Sequence, residues 1–139
     1  MNQYIFFIEA TEATENTEFM DGTTEQIIGA AIEVHKILGP GLLERIYEEA
    51  MCHEFDIRKI KYQRQHFINF VYKGHKIKGQ RLDLIVEDEV IVEIKSLEKL
   101  PDVAIAQTLS YLKASRLKRG LIVNFGKKTL IDGIKRISL

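Results

Sequence analysis

The sequence is short of three things, namely cysteine, long apolar runs and net charge, and each shortage excludes a class of protein. A single cysteine, Cys52, excludes a disulfide within the chain, and a reducing cytoplasm is the compartment that fits it best. No apolar run approaches the ~18 residues of a membrane span, so we expect no membrane partner. Residues 1–10 contain five consecutive apolar positions with no base before them, which argues against a signal peptide.

The net charge of zero conceals an uneven distribution. Residues 1–25 hold six of the 20 acidic residues and no lysine or arginine, so residues 26–139 carry 14 acids against 20 bases, or about +6. This excess suits a polyanionic partner without identifying one. After a short apolar run, residues 11–18, TEATENTE, are acidic, polar and poor in core-forming residues, which predicts a flexible leader over residues 1–20 before a single domain over residues 21–139.

Apolar spacing predicts three helices and at least four strands. The helices are expected at about 24–38, 42–55 and 101–115, with Thr23 or Thr24 as the first cap. The third helix is expected to pack through Val103, Ala106, Leu109 and Leu112. Strands are expected at about 67–72, 76–86, 90–95 and 120–125, with a bulge near Gly79 and a final strand or extended tail. The predicted fold is α/β, in the order ααβββαβ, with a mixed sheet flanked by helices and one right-handed crossover.

Residues 81–96, RLDLIVEDEVIVEIKS, are the most informative stretch of the chain. They predict two strands joined by an acidic turn. In a symmetric hairpin Ile85 faces Ile91, and the rung beyond them places Asp83 opposite Glu93. A register shifted by one residue would send Asp83 to the other face.

Two carboxylates held face to face in a cleft require a proton or a divalent cation. At ~4 Å, like charges repel by roughly 4 kcal/mol at an effective dielectric of about 20. Mg²⁺ takes one or two carboxylates together with phosphate and water, and Lys95 on the same side as Glu93 adds a positive charge for phosphate or water. The pattern Asp83-x9-Glu93-x-Lys95 therefore fits a metal-dependent phosphodiesterase site. The alternative is a half-exposed hairpin with ordinary alternating charges.

Three further polar residues belong to the candidate site. Glu44 lies at the margin of the second helix's apolar stripe, where it can reach a metal or simply interact with the helix dipole. Gln107 and Tyr111 are four residues apart, so they share one side of the third helix. The charges of the acidic hairpin, with Gln107 and Tyr111 on a helix alongside, have the pattern expected of an active site.

Five motifs in order give the chain a resemblance to the GxxExxY proteins. The motifs are Gly41-Leu-Leu-Glu44-Arg-Ile-Tyr47, Arg81-Leu-Asp83-Leu, Val92-Glu93-Ile-Lys95, Gln107-x-x-x-Tyr111 and Gly120-Leu-Ile-Val-Asn124-Phe-Gly126. The likeness covers about residues 23–139. That family is placed in the PD-(D/E)XK nuclease superfamily, whose restriction-endonuclease-like core is αβββαβ. The predicted order matches that core with one added N-terminal helix.

The resemblance implies a role for each site residue. Asp83, Glu93 and the backbone carbonyl of Ile94 would hold Mg²⁺ or Mn²⁺. Lys95 would orient or activate the attacking water, and Glu44 would complete the acidic cluster.

The resemblance also covers the third helix. Gln107 and Tyr111 match the QxxxY element of RecB-like nucleases, which supports the site and the nucleic-acid strand. Leu82 departs from the proline that the superfamily often carries, and Ala104 stands where these proteins often have histidine.

The resulting hypothesis is a metal-dependent nuclease acting on nucleic acid, with DNA favoured over RNA by analogy. A homodimer would suit it, because one small site cuts one strand at a time. One alternative is a nuclease-like module that binds nucleic acid or protein without cutting, which the small size supports. Another is a structural subunit of a larger assembly.

Overall fold

Three α-helices and five strands follow one another along residues 22–139, the part of the chain that this computed structural model describes. The predicted leader, residues 1–20, lies outside the described residues. The helices are α1 (Gly22–Leu38), α2 (Glu44–Arg58) and α3 (Asp102–Ser115). The strands are β1 (Tyr62–Tyr72), β2 (His75–Val86), β3 (Val90–Lys95), β4 (Arg119–Asn124) and β5 (Ile134–Ser138). No helix within the described range is both long and apolar enough to cross a membrane.

The strands form one sheet in sequence order, β1-β2-β3-β4-β5. Only β3 and β4 are parallel, and α3 makes the crossover between them. The helices α1 and α2 pack on one face of the sheet through a core that includes Ile27, Phe55 and Leu84. The other face packs on α3 around Ile91 and Leu112. The predicted order ααβββαβ and the mixed sheet flanked by helices are confirmed.

The predicted hairpin register is also confirmed. Ile85 pairs with Ile91 and Val86 with Val90, while Leu84 opposite Val92 is the last ladder pair of β2 and β3. The bulge expected near Gly79 is present, because the β1–β2 register shifts by one residue on β2 between Lys78 and Arg81. Gly79 fits there because a Cβ would overlap the Ile68 carbonyl oxygen and lie 2.7 Å from the Phe70 ring.

The predicted start of the first strand was wrong, because β1 begins at Tyr62 rather than near residue 67. Tyr62 and Arg64 pair with Val86 and Leu84 of β2. As the outermost strand, β1 pairs through its backbone and leaves much of its side-chain surface in water. The polar, basic side chains that argued against a strand are tolerated at such an edge.

The helix boundaries and one packing face also differ from prediction. Thr23 and Thr24 lie inside α1 rather than capping it, and the Thr23 hydroxyl donates to Glu89 Oε1 at 2.7 Å. In α3, Val103 is exposed, whereas Ala104 and Thr108 are buried. Residues 103–112 are apolar on several sides, so their spacing did not select a single stripe.

Tyr47 fixes the turn that leads into α2. Its hydroxyl donates to the Gly39 carbonyl oxygen at 2.5 Å and accepts the N–H of Leu42 at 3.1 Å. Its ring stacks on Phe125 with centroids 4.3 Å apart and planes 4° apart. Because Gly39 and Gly41 have positive φ angles, glycine is suited to both positions. This clamp sets where α2 begins and therefore where Glu44 lies.

We predict that Gly79→Ala destabilises the protein by about 1–3 kcal/mol, because the new methyl group has to displace the Ile68 backbone. Chemical denaturation measures the change. Gly22→Ala is the matched control, since no atom of residues 22–139 lies within 4 Å of a Cβ there, and its stability should match the wild type or slightly exceed it. Equal stability of the two variants would contradict the close approach at the bulge.

Candidate active site

Asp83 and Glu93 meet where the β2–β3 ladder ends. The Ile94 N–H donates to Asp83 Oδ2 at 2.8 Å, and the Asp83 N–H donates to Glu93 Oε2 at 3.2 Å. Side-chain oxygens thus take over as acceptors from the main-chain carbonyls just beyond the last ladder pair. Each carboxylate is thereby tied to the opposite strand, and the two acids are held side by side as the hairpin register predicted.

Burial makes both acids reluctant to ionise. Glu93 is 9% exposed, and burial, followed by the Asp83 charge, raises its pKa to about 8. Burial also raises the pKa of Asp83 to about 6, against the opposing effect of the Ile94 N–H. Both pKa values are far above those of carboxylates in water. Near neutral pH the two carboxylates therefore favour binding a proton or a cation over being ionised without one.

Lys95 lies within electrostatic reach of this pair. Its charge lowers the pKa of both Asp83 and Glu93. Lys95 is half-buried and forms no ion pair with any residue in the range 22–139. Its ammonium group is therefore not committed to another carboxylate.

The helix α2 faces the pair with two acids one turn apart, Glu44 and Glu48. Both raise the pKa of Asp83, with Glu48 the stronger influence. Glu44 is exposed in the first turn of α2, whereas Glu48 is only 8% exposed. Sequence reasoning selected Glu44 and missed Glu48, although spacing of four residues places both on one face of the helix.

Glu48 is held by two residues of β1. Arg64 Nε donates to Glu48 Oε2 at 2.8 Å, and Gln65 Nε2 donates to both carboxylate oxygens, at 3.0 and 2.8 Å. Gln65 has a φ of 55°, which is uncommon for a residue with a side chain. Such strain is often retained beside functional sites. These contacts make Glu48 a structural acid that anchors α2 to the edge strand.

The helix α3 approaches from the opposite face of the sheet. Burial, and then the charges of Glu93 and Asp83, raises the pKa of Tyr111. The Tyr111 hydroxyl donates to Gln80 Oε1, which follows the bulge in β2. Gln107 lies one turn earlier with its side chain exposed, and it makes no hydrogen bond with the described residues. The structure thus brings Tyr111 to the acidic pair and leaves Gln107 at the solvent edge.

The donor set fits a hard divalent cation. Asp83 Oδ1 and Glu93 Oε1 receive no hydrogen bond from residues 22–139, so the partly buried Asp83 and the buried Glu93 each keep one carboxylate oxygen without a donor in this range. Over the same residues, no three His, Cys, Asp or Glu side chains come together as a ready-made metal cluster. The predicted three-acid cluster is thus not assembled by side chains alone, because Glu44 stays at the exposed start of α2. Two carboxylates completed by water and phosphate are nevertheless the usual protein contribution to a Mg²⁺ site.

The family model for the PD-(D/E)XK nuclease superfamily matches residues 21–137 of this chain. The match includes every residue of the site described above. None of the curated proteins and none of the solved structures matches the chain.

We predict that the metal-free protein becomes less stable between about pH 5 and pH 8. The pKa of Glu93 is about 8 in the folded state against 4.5 for a free glutamate. The folded state therefore binds more protons than the unfolded state in this window. The protonated Glu93 carboxyl group makes its full contribution to stability below the pKa that Glu93 has in the unfolded state. That contribution is lost as the pH rises through the pKa that Glu93 has in the folded state.

Thermal unfolding in EDTA across that pH range, for wild type and Glu93→Gln, measures the effect. Glu93→Gln should flatten the pH dependence because its amide does not titrate. Glu98→Gln, at an exposed position, is the control and should keep the wild-type slope. Parallel slopes for wild type and Glu93→Gln would contradict the prediction.

Proposed function

Because this chain belongs to the PD-(D/E)XK nuclease superfamily, we propose that it hydrolyses phosphodiester bonds of nucleic acid with Mg²⁺ or Mn²⁺ held by Asp83 and Glu93. The observation that carries the proposal is the pair formed by the partly buried Asp83 and the buried Glu93, in which each acid leaves one oxygen without a donor among the described residues. The backbone carbonyl of Ile94, next to Glu93, is the proposed further ligand. A divalent ion at this position makes water a stronger acid and offsets the negative charge that builds up on the phosphate.

Lys95 is the proposed partner of the attacking water. It lies two residues after Glu93 on β3, its charge acts on both acids, and it has no ion pair of its own among the described residues. An ammonium group there can hold water by donating a hydrogen bond or can neutralise a phosphate oxygen.

The remaining predicted residues have supporting roles in the same proposal. Glu44 is the third acid, which would act on the ion from the first turn of α2. Tyr111, fixed to Gln80, would shape the wall beside the scissile strand. Gln107 would contact that strand from its exposed position. The proposal includes DNA as the substrate in preference to RNA, and a homodimer in which a second site cuts the second strand.

A second candidate function is binding without cleavage. The observation that favours it is that side chains within residues 22–139 assemble no cluster of three potential ligands. Such a module would bind nucleic acid equally well with and without metal and would never cut it.

We predict that Lys95→Ala lowers the rate of DNA cleavage by about a hundredfold or more, because the attacking water loses its cationic partner. Asp83→Asn should abolish cleavage, because the ion loses one of its two carboxylates. Nicking of plasmid DNA and cutting of a single-stranded oligonucleotide in Mn²⁺ measure both effects, and EDTA should stop the wild-type reaction.

Lys99→Ala is the matched control for Lys95→Ala, since Lys99 is exposed and lies four residues further along the chain. It should cut at the wild-type rate. Equal cleavage by wild type, Lys95→Ala and Asp83→Asn would indicate a contaminating nuclease and refute the assignment. Binding without cutting in every condition would favour the second candidate.

We also predict that Glu44→Gln and Glu48→Gln have different effects. Glu44→Gln should raise the Mn²⁺ concentration required for half-maximal cleavage and leave stability unchanged, because Glu44 is exposed. Glu48→Gln should lower the free energy of unfolding by about 1–2 kcal/mol, because its buried charge supports Arg64 and Gln65. Metal titration measures the first effect and chemical denaturation the second. If Glu44→Gln lowered stability and Glu48→Gln raised the Mn²⁺ requirement, Glu48 would be the acid that acts on the ion and Glu44 the structural one.

A further inference from the structure

The β1–β2 hairpin continues past the carboxylate pair as a two-stranded arm, residues 66–82. The strand β3 pairs with β2 only from Leu84 to Val86. Pairing of β1 with β2 extends much further, to Tyr72 opposite His75 at the tip. Within the described chain, the arm therefore has no third strand beside it.

The two faces of the arm differ. On one face Ile68, Leu82 and the partly buried Phe70 join the core beneath α3. On the other, the outer face, Phe67 is 43% and Val71 is 69% exposed. Three residues of β1 on this face, Phe67, Asn69 and Val71, have basic cross-strand partners on β2 that share the face. These partners are Arg81, Lys78 and Lys76, respectively.

The charge of the arm is of one sign. Residues 66–82 contain four lysines and arginines and no aspartate or glutamate. The bases of the arm form no ion pair with a described residue; these are Lys73, Lys76, Lys78 and Arg81. Because no described residue pairs with these charges, an external anion can bind them without breaking an ion pair within residues 22–139.

The Phe67 ring contacts two of these basic side chains. Lys78 Nζ lies 4.5 Å and the Arg81 guanidinium carbon 5.1 Å from the centre of the Phe67 ring. Cation–π attraction of this kind holds flexible basic side chains over an exposed aromatic face. Two of the cations are thereby placed side by side on the outer face before any partner binds.

We propose that the outer face of the arm is a phosphate track that guides a nucleic-acid strand into the carboxylate pair. Arg81 lies two residues before Asp83, or about 7 Å along an extended strand, and Lys76 lies about 15 Å further towards the tip. A nucleic-acid strand rises about 3.4 Å per nucleotide, so the track spans about four or five phosphates. Lysines bind phosphate as point charges, so the track is indifferent to sequence.

This inference deepens the proposed nuclease function, yet its test does not depend on cleavage. The test variant combines Lys76→Gln, Lys78→Gln and Arg81→Gln in the full chain. The control variant combines Lys113→Gln, Lys118→Gln and Lys128→Gln, which removes the same charge from three exposed sites outside the arm. Fluorescence anisotropy in EDTA measures binding of a labelled 20-nucleotide DNA strand and of its duplex between 50 and 200 mM salt.

The arm variant should bind at least about tenfold more weakly at 100 mM salt. The slope of log affinity against log salt should fall by about 2 on the single strand or by about 2.7 on the duplex, since each lost contact contributes about 0.7 or 0.9. Whichever DNA shows its expected change is the form that the track holds. The control variant should stay within about twofold of wild type. Equal losses in the two variants, or no loss in the arm variant, would overturn the proposal.

Two further variants exclude trivial explanations. A charge-retaining variant, Lys76→Arg with Lys78→Arg and Arg81→Lys, should bind as the wild type does. Phe67→Leu should weaken binding about threefold, because the cations lose their aromatic support. Loss of binding in the charge-retaining variant would count against a phosphate track.

Cleavage in Mn²⁺ separates failure of the arm from failure of the nuclease. If no protein cuts while the arm variant loses DNA binding, the track stands and the nuclease proposal fails. If the arm variant cuts with wild-type kcat/KM, the nuclease stands and the track is refuted.

Discussion

The pair of hydrogen bonds that the Asp83 and Glu93 carboxylates accept from the backbone N–H groups of Ile94 and Asp83 is the constraint on which the rest of this structure depends. It replaces one rung of the β2–β3 ladder by two side-chain acceptors, so the acids are fixed by the sheet itself. The same arrangement buries them, which raises both pKa values and leaves one oxygen of each without a donor in the described chain. Ionising the two carboxylates therefore lowers the free energy of unfolding, and a bound cation would offset that loss.

The surrounding elements supply the site from both faces of the sheet. The Tyr47 clamp fixes the start of α2, whose acids Glu44 and Glu48 act electrostatically on Asp83. On the other face, α3 brings Tyr111 against the same charges. Of the two acids on α2, Glu48 is bonded to β1 and supports the fold, whereas Glu44 is exposed and is the one proposed to act on the ion.

Four basic residues and no acidic residue lie on one structural element, the arm formed by residues 66–82. The arm extends β1 and β2 beyond the reach of β3, packs one face on α3 and leaves the other to solvent. The bulge at Gly79 shifts the register between Lys78 and Arg81, and both side chains reach the ring of Phe67. Charge, exposure and closeness to the carboxylate pair therefore coincide, which a net charge of zero would not have suggested.

The sequence by itself determined the order of elements and the pairing of Asp83 with Glu93, because strand alternation and a short symmetric turn leave one register that buries the apolar residues. Only the tertiary structure decided which polar residues are buried. Glu48 is held inside by Arg64 and Gln65, whose strand did not have an apolar pattern. Gln107 remains exposed although it lies one helical turn before the buried Tyr111. The spacing of apolar residues along the chain indicates which residues share a face of a helix or strand. Whether that face is buried depends on which elements, distant in the sequence, pack against it.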